Sequence, residues 1–128
     1  MADSSDFAAG DMHADVRGLR WSPVEKTIAR KAFNLALQEE LQSVIRETKD
    51  RAARIQQRFE LWDLEHYLTK RRNEIDRKYD FRYSVIPFVL GGLLQEGRIN
   101  EDHLRGLRED KLTYIRRAAK GTGRIKTA

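Results

Sequence analysis

The chain has 128 residues, 40% hydrophobic and 35% charged, with 25 basic and 20 acidic side chains for a formal net charge of +5. This composition fits a helical domain with long solvated faces, and the absence of cysteine excludes disulfides and thiolate chemistry. Acids are interspersed among the bases throughout, so charge balance alone argues against a nucleic-acid surface.

From the N-terminus, residues 1–20 are small, polar and aperiodic. They are expected to form a disordered arm, with no basic and apolar regions of a signal peptide. Order is expected from Trp21. Ser22 suits an N-cap, Pro23 the first helical position, and Glu25 can reach back to the Ser22 amide as a capping box. Phe33, Leu37, Leu41, Val44, Thr48, Ala52 and Ile55 recur at spacings of three and four, predicting a helix to about Gln56. At 1.5 Å per residue this is a rod of about 50 Å, longer than so small a domain covers by itself. No Gly or Pro interrupts residues 24–80. A turn near Gln56–Glu60 with a second helix folding back is favoured over one bent helix. Leu61, Leu64, Leu68, Ile75 and Tyr79 form the second helix's stripe.

Ser84 is expected to cap a third helix, with Pro87 in its first turn and Gly97 at its end. Gly91 and Gly92 each weaken that helix by about 1 kcal/mol relative to Ala, which points to close helix packing. Asn100 is expected to cap a fourth helix over residues 101–120, acidic at its start and basic at its end. Gly121 should stop it. The predicted organisation is all-α: a disordered arm (1–20), a long helical hairpin stalk for dimerisation (21–80), a small helical head (81–120) and a flexible tail (121–128). The apolar surface of the long pair predicts a homodimer. The longest apolar run, Val85 to Leu94, has ten residues. About twenty are needed to span a bilayer, so a soluble, cytoplasmic protein without a membrane span is expected.

Nothing in the chain spells an active site. His66 and Asp63 at i,i+3 give two ligands where zinc needs three or four, so no metal is expected. The glycines of "GGLLQEG" lie inside an apolar helix and not after a strand, which disfavours a phosphate loop. No carboxylate is expected on an apolar face where burial would tune it for acid–base work. The expectation is a non-enzymatic protein with no catalytic residue, cofactor or small-molecule substrate. The basic run Lys70, Arg71, Arg72, Arg77, Lys78 and Arg82 is interrupted by Glu74, Asp76 and Asp80, which would repel phosphate.

On the second helix, Arg72 flanks the apolar stripe, with Trp62, Thr69 and Asp76 a step further round. Arg72 and Asp76 at i,i+4 can pair. A surface salt bridge worth under about 1 kcal/mol is one reading. A protein interface is the other, and the favoured one, because Trp and Arg are enriched where proteins meet.

These residues carry a resemblance. "WSPVEKTIARKAF", "LWDLEHYLTKRRNEIDRKYDFRYSVIPFVLGGLLQEG" and "DKLTYIRRAAK" resemble the cyanobacterial fluorescence recovery protein family, collinearly from about Trp21 to Lys120. The most specific part is the series Trp62, Arg72, Glu74, Ile75, Asp76, Lys78, Tyr79, Asp80, Arg82. The resemblance implies an all-helical homodimer that binds the C-terminal domain of the photoactivated orange carotenoid protein. It would speed that protein's red-to-orange reversion and end phycobilisome quenching, without covalent chemistry. It places Trp62, Glu65, His66, Thr69, Arg72 and Asp76 at a dimer or partner interface, and Phe88 and Tyr114 in the head. The chain departs from the family pattern at His66 (usually Asp), Glu65 (His), Arg77 (Gly), Pro87 (an aliphatic residue) and Tyr114 (Lys). Two alternatives stay open: the same helical dimer serving another partner in an organism without phycobilisomes, and a basic nucleic-acid-binding dimer.

Overall fold

The computed structural model describes residues 12–127. Helix α1 (Pro23–Ala53) leads into α2 (Arg58–Lys78) and α3 (Ile86–Gln95), then a 3-10 turn (Glu101–Leu104) and α4 (Glu109–Thr127). Among the described residues there is no strand. α1 starts as its sequence dictates: Ser22 Oγ accepts from the Glu25 amide and the Ser22 amide donates to Glu25 Oε1, both at 3.1 Å.

The long helices form a hairpin. No glycine makes the turn; Glu60 does, its Oε1 accepting from the Gln56 and Gln57 amides at 2.8 and 2.7 Å. These are amides that the start of a helix leaves without intrahelical partners. α2 then runs antiparallel to α1. The Arg51 guanidinium lies 4.2 Å from the Tyr67 ring centroid, Arg71 bonds Glu40 at 2.7 Å, and Tyr79 meets Phe33 edge-on at 5.3 Å.

The core lies at the other end of the hairpin. Ala29, Ala32, Phe33 and Ala36 of α1 pack with Ile86, Leu90 and Leu93 of α3, with Ile99, Leu104 and Leu107, and with Ile115 of α4. The first half of α1 is thus one wall of the head, and the free stalk is the hairpin beyond Glu40. Phe81 continues the aromatic cluster, edge-on to both Phe33 at 5.0 Å and Tyr83 at 5.3 Å.

Several expectations are corrected. Residues 12–17 are helical, and Val16 is only 1% exposed, so this part of the arm is docked; residues 1–11 lie outside the described residues. Val85, not Ser84, precedes α3, and no side chain caps it, although Pro87 does fall in its first turn. The expected fourth helix is two pieces. Asn100 caps only the 3-10 turn, and Gly106, at φ +104°, breaks the chain before α4. The positive φ favours glycine there, and a Cβ at Gly106 would also make the tip of the Ile28 side chain, 2.5 Å away, move aside. α4 passes through Gly121 to Thr127, where a stop and a tail were expected.

The two adjacent glycines of α3 differ. A Cβ at Gly91 would lie 2.5 Å from Ala118 Cβ and 2.6 Å from the Ile115 carbonyl oxygen, whereas at Gly92 nothing lies within 4 Å. Close α3–α4 packing therefore explains Gly91 alone. Gly91→Ala should destabilise the fold by about 1–3 kcal/mol through overpacking. Gly92→Ala should stabilise it by up to about 1 kcal/mol through helix propensity. Urea unfolding midpoints of the two variants, moving in opposite directions from the parent, check this.

Candidate functional site

Helix α2 divides its charges between two faces. At about 100° per residue, Arg71 and Lys78 fall together and point at α1. Trp62, Glu65, His66, Thr69, Arg72 and Asp76 fall within an arc of about 120° on a different side. All six are exposed. The structure thus brings the expected helix residues together on one face of the stalk.

The inner face meets Glu40, which is 1% exposed. Its carboxylate accepts from Arg71 Nη2 at 2.7 Å and Tyr79 Oη at 2.8 Å, and lies 2.8 Å from Lys78 Nζ and 3.2 Å from Arg98 Nε. Burial alone would raise its pKa, but the bonds from Lys78, Arg71 and Tyr79 outweigh burial and bring it from the ordinary 4.5 to about 2. Bonding to Glu40 raises the Arg71 pKa, and burial followed by the Glu40 contact raises that of Tyr79. Glu96 and Glu74 balance the remaining charge, bonding Lys78 and Arg71 at 3.0 and 2.6 Å.

A second buried carboxylate, Glu25, joins the start of α1 to α4. It accepts from the Arg108 amide at 3.0 Å and lies 3.1 Å from the buried Lys111 Nζ. Burial again opposes ionisation, and the bonds from Arg108, Ser22 and Lys111 outweigh it, leaving a pKa of about 2. Both glutamates correct the expectation that no carboxylate sits on an apolar face. Neither faces a cleft with a nucleophile or base beside it, and both are saturated with donors, so they hold structure and do not move protons. The signal for Glu40 was present: it follows Phe33 and Ala36 at i+7 and i+4, on the buried face.

The outer face differs in kind. Arg72 and Asp76 line a groove with Leu41, Val44, Leu68 and Ile75. Among the described residues neither has an ion pair or hydrogen bond, so the Arg72–Asp76 salt bridge, the less favoured of the two readings, does not form. Trp62 is 59% exposed, with Leu61 at 46% and Phe59 at 63% nearby in sequence, and no ring or polar group within the described residues contacts Trp62. Thr69 Oγ1 donates to Glu65 at 3.1 Å, and His66 shares a shallow depression with Glu65, Thr69 and Arg77. Phe88 and Tyr114 lie elsewhere, on α3 and α4, and both touch the N-terminal segment. The His13 and Phe88 ring centroids are 4.8 Å apart, and Tyr114 Oη donates to Asp15 at 3.3 Å.

Three of the six bases in the basic run are paired within the chain. Arg71 and Lys78 are tied to glutamates and Arg82 to Asp80, while Tyr79, Phe81 and Tyr83 pack against the core. No group of three metal-ligating side chains occurs among the described residues. No described helix is long and apolar enough to cross a membrane.

The same fold recurs in known proteins. The sequence profile of a family described as "Photoprotection regulator fluorescence recovery protein" matches residues 21–119. The chain belongs to this family. It is 39% identical over 100 residues to the fluorescence recovery protein of Synechocystis sp. PCC 6803, covering 78% of this chain and 92% of that protein. The solved structure of the Synechocystis protein superposes with a TM-score of 0.76 at 39% identity, and that of the Fremyella diplosiphon protein with 0.75 at 38%. Each alignment covers 79% of this chain and 99% of the other. The family is described as one of photoprotection regulators.

Glu40 gives the stability of this fold a pH dependence. Its folded pKa lies below the unfolded value, so the unfolded chain binds protons first. Its contribution is complete above about pH 4.5 and is lost as pH falls towards about 2. Glu40→Gln should destabilise the neutral protein by about 2–3 kcal/mol. That is less than the ~3–5 kcal/mol for a fully buried pair, because Arg71, Lys78 and Arg98 keep 20–24% of their side chains in water. Denaturant titrations at stepped pH check this: the gap between parent and variant should narrow progressively below about pH 4.5.

Proposed function

We propose that this chain acts as a homodimer that binds the photoactivated orange carotenoid protein through that protein's C-terminal domain. It speeds the red-to-orange return and so ends phycobilisome quenching. Family membership supports the reading, and the open charges of Arg72 and Asp76 in an apolar groove carry it. Two opposite charges at i,i+4 ordinarily find each other on a helix surface. Here both remain available to another chain. A two-fold dimer makes each contact twice, so Arg72 of one copy can meet Asp76 of the other while Leu41, Leu61, Leu68 and Trp62 lose their solvent exposure. The action is a shift in the partner's conformational equilibrium by differential binding, and it requires no nucleophile or cofactor.

The test mixes the chain with a photoconverted orange carotenoid protein and follows decay of the red absorbance in the dark. Recovery should be severalfold faster with the parent chain, and light scattering should give twice the 15.0 kDa chain mass. Arg72→Leu should retain the helical circular dichroism, since leucine has good helix propensity, yet bring recovery back near the unassisted rate. Unassisted recovery with the parent, or a monomer mass at micromolar concentration, would overturn the proposal.

A second reading is favoured by the depression beside the groove, where His66 and Glu65 stand at positions that depart from the family pattern. The same dimer would then serve a different protein. His66→Asp supplies an additional carboxylate on the arc that holds Arg72. It should quicken recovery if the orange carotenoid protein is the partner, and failure of both forms to bind that protein selects the second reading.

A further inference from the structure

The family match begins at Trp21, and the solved relatives are covered to 99% of their length by alignments using 79% of this chain. Residues 12–17 thus precede the part of the chain that the family match covers. In this chain that segment is helical and lies on the head. His13 stacks at a tilt on Phe88 of α3, Asp15 accepts from Tyr114 of α4, and Val16, three residues on from His13, is 1% exposed. Arg117 lies with its guanidinium 6.0 Å from the Tyr114 ring centroid, which gives this part of the head a positive edge suited to an acid.

We infer that the head surface around Phe88 and Tyr114 is a docking site for a short amphipathic helix with a carboxylate at its edge, and that residues 12–17 fill it in cis. The segment displays the chemistry the site selects: an aromatic and an aliphatic side chain at i,i+3, facing the head, with a carboxylate at the edge. One buried side chain, one ring contact and one long hydrogen bond hold it. A short tether, from Gly18 to Trp21, joins it to α1. Such tethers give effective concentrations of about millimolar, enough to keep out weak competitors and little enough for a tight partner to displace the segment. A protein that reaches Phe88 or Tyr114 must first remove this strap, which makes the N-terminal segment an internal competitor.

The test needs no carotenoid protein, so it is decided separately from the function proposed above. The probe is a synthetic peptide of residues 12–18 with blocked ends, titrated into isotope-labelled protein while backbone amide shifts are followed. Three proteins are compared: the parent, full-length Val16→Asp, in which a buried charge ejects the strap, and a chain beginning at Leu19, which keeps all that the family match covers. Both opened forms should give saturable shifts around Phe88, Val89 and Tyr114 at about millimolar peptide. The parent should need at least about tenfold more, and a peptide carrying Val16→Asp should give none. Equal responses from parent and opened forms, shifts centred elsewhere, or no response from either opened form would overturn the inference. If Val16→Asp fails to fold, the Leu19 chain decides alone.

Discussion

Glu40 lies inside the protein as a carboxylate, and a charge in such a place is tolerable only if cations and hydrogen-bond donors come to it. Four groups do so, from three separate parts of the chain: Arg71 and Lys78 near the end of α2, Tyr79 just after it, and Arg98 in the loop after α3. Each contact fixes a different degree of freedom. Arg71 sets the register of the hairpin, Tyr79 anchors the chain as it leaves α2, and Arg98 ties the far end of α3 back to α1. An apolar residue at position 40 would fill space, but it would not tell α2 how far to slide along α1. The bidentate carboxylate does, because its donors must arrive from particular directions.

The hairpin needs such a fixed point because α1 offers little else to hold it. Its buried face carries Glu25, Ala29, Ala32, Phe33, Ala36 and Glu40, so contrast between that face and its surroundings is low. The small alanines let α3 and the 3-10 turn come close, and the two glutamates bind the ends of that stretch to different neighbours. Beyond Glu40, Leu41 and Ile45 are 38% and 43% exposed and lie on the free stalk. One helix thus serves two purposes along its length, a wall of the head first and an open apolar strip later.

This division explains which parts were legible from residues alone. The all-helical class, the Ser22–Glu25 capping box, Pro87 in a first turn and the hairpin all followed from local chemistry, and the structure contains each. The stripe from Phe33 to Ile55 mixed two faces, since only Phe33 of that series belongs to the buried set. Spacing at three and four fits either face when a helix has two. The hairpin turn carried no Gly or Pro because Glu60 satisfies its amides from inside α2, a long-armed solution that composition does not advertise. Gly106 was passed over because acids and apolar residues flanked it as in a continuous helix. Residues 12–17 looked aperiodic because only His13 and Val16 need to face inward, too few for a period to show.

The adjacent arginines of α2 carry the same lesson into function. Arg71 and Arg72 are chemically identical and about 100° apart on the helix, yet one is committed to the interior and the other has no ion pair or hydrogen bond among the described residues. Sequence pattern singled out Arg72 through its distance from Asp76 and Trp62, and favoured an interface over a surface salt bridge between the pair. Among the described residues that salt bridge is not formed, and both side chains line the groove with Leu41, Val44, Leu68 and Ile75. The charges that build the fold are therefore spent on Glu40, Glu74 and Glu96, and those left over collect beside exposed tryptophan and leucine. Unpaired charge and uncovered apolar side chains therefore share one surface of the stalk, because α2 uses its inner arginine to fix its own position and leaves the outer one exposed.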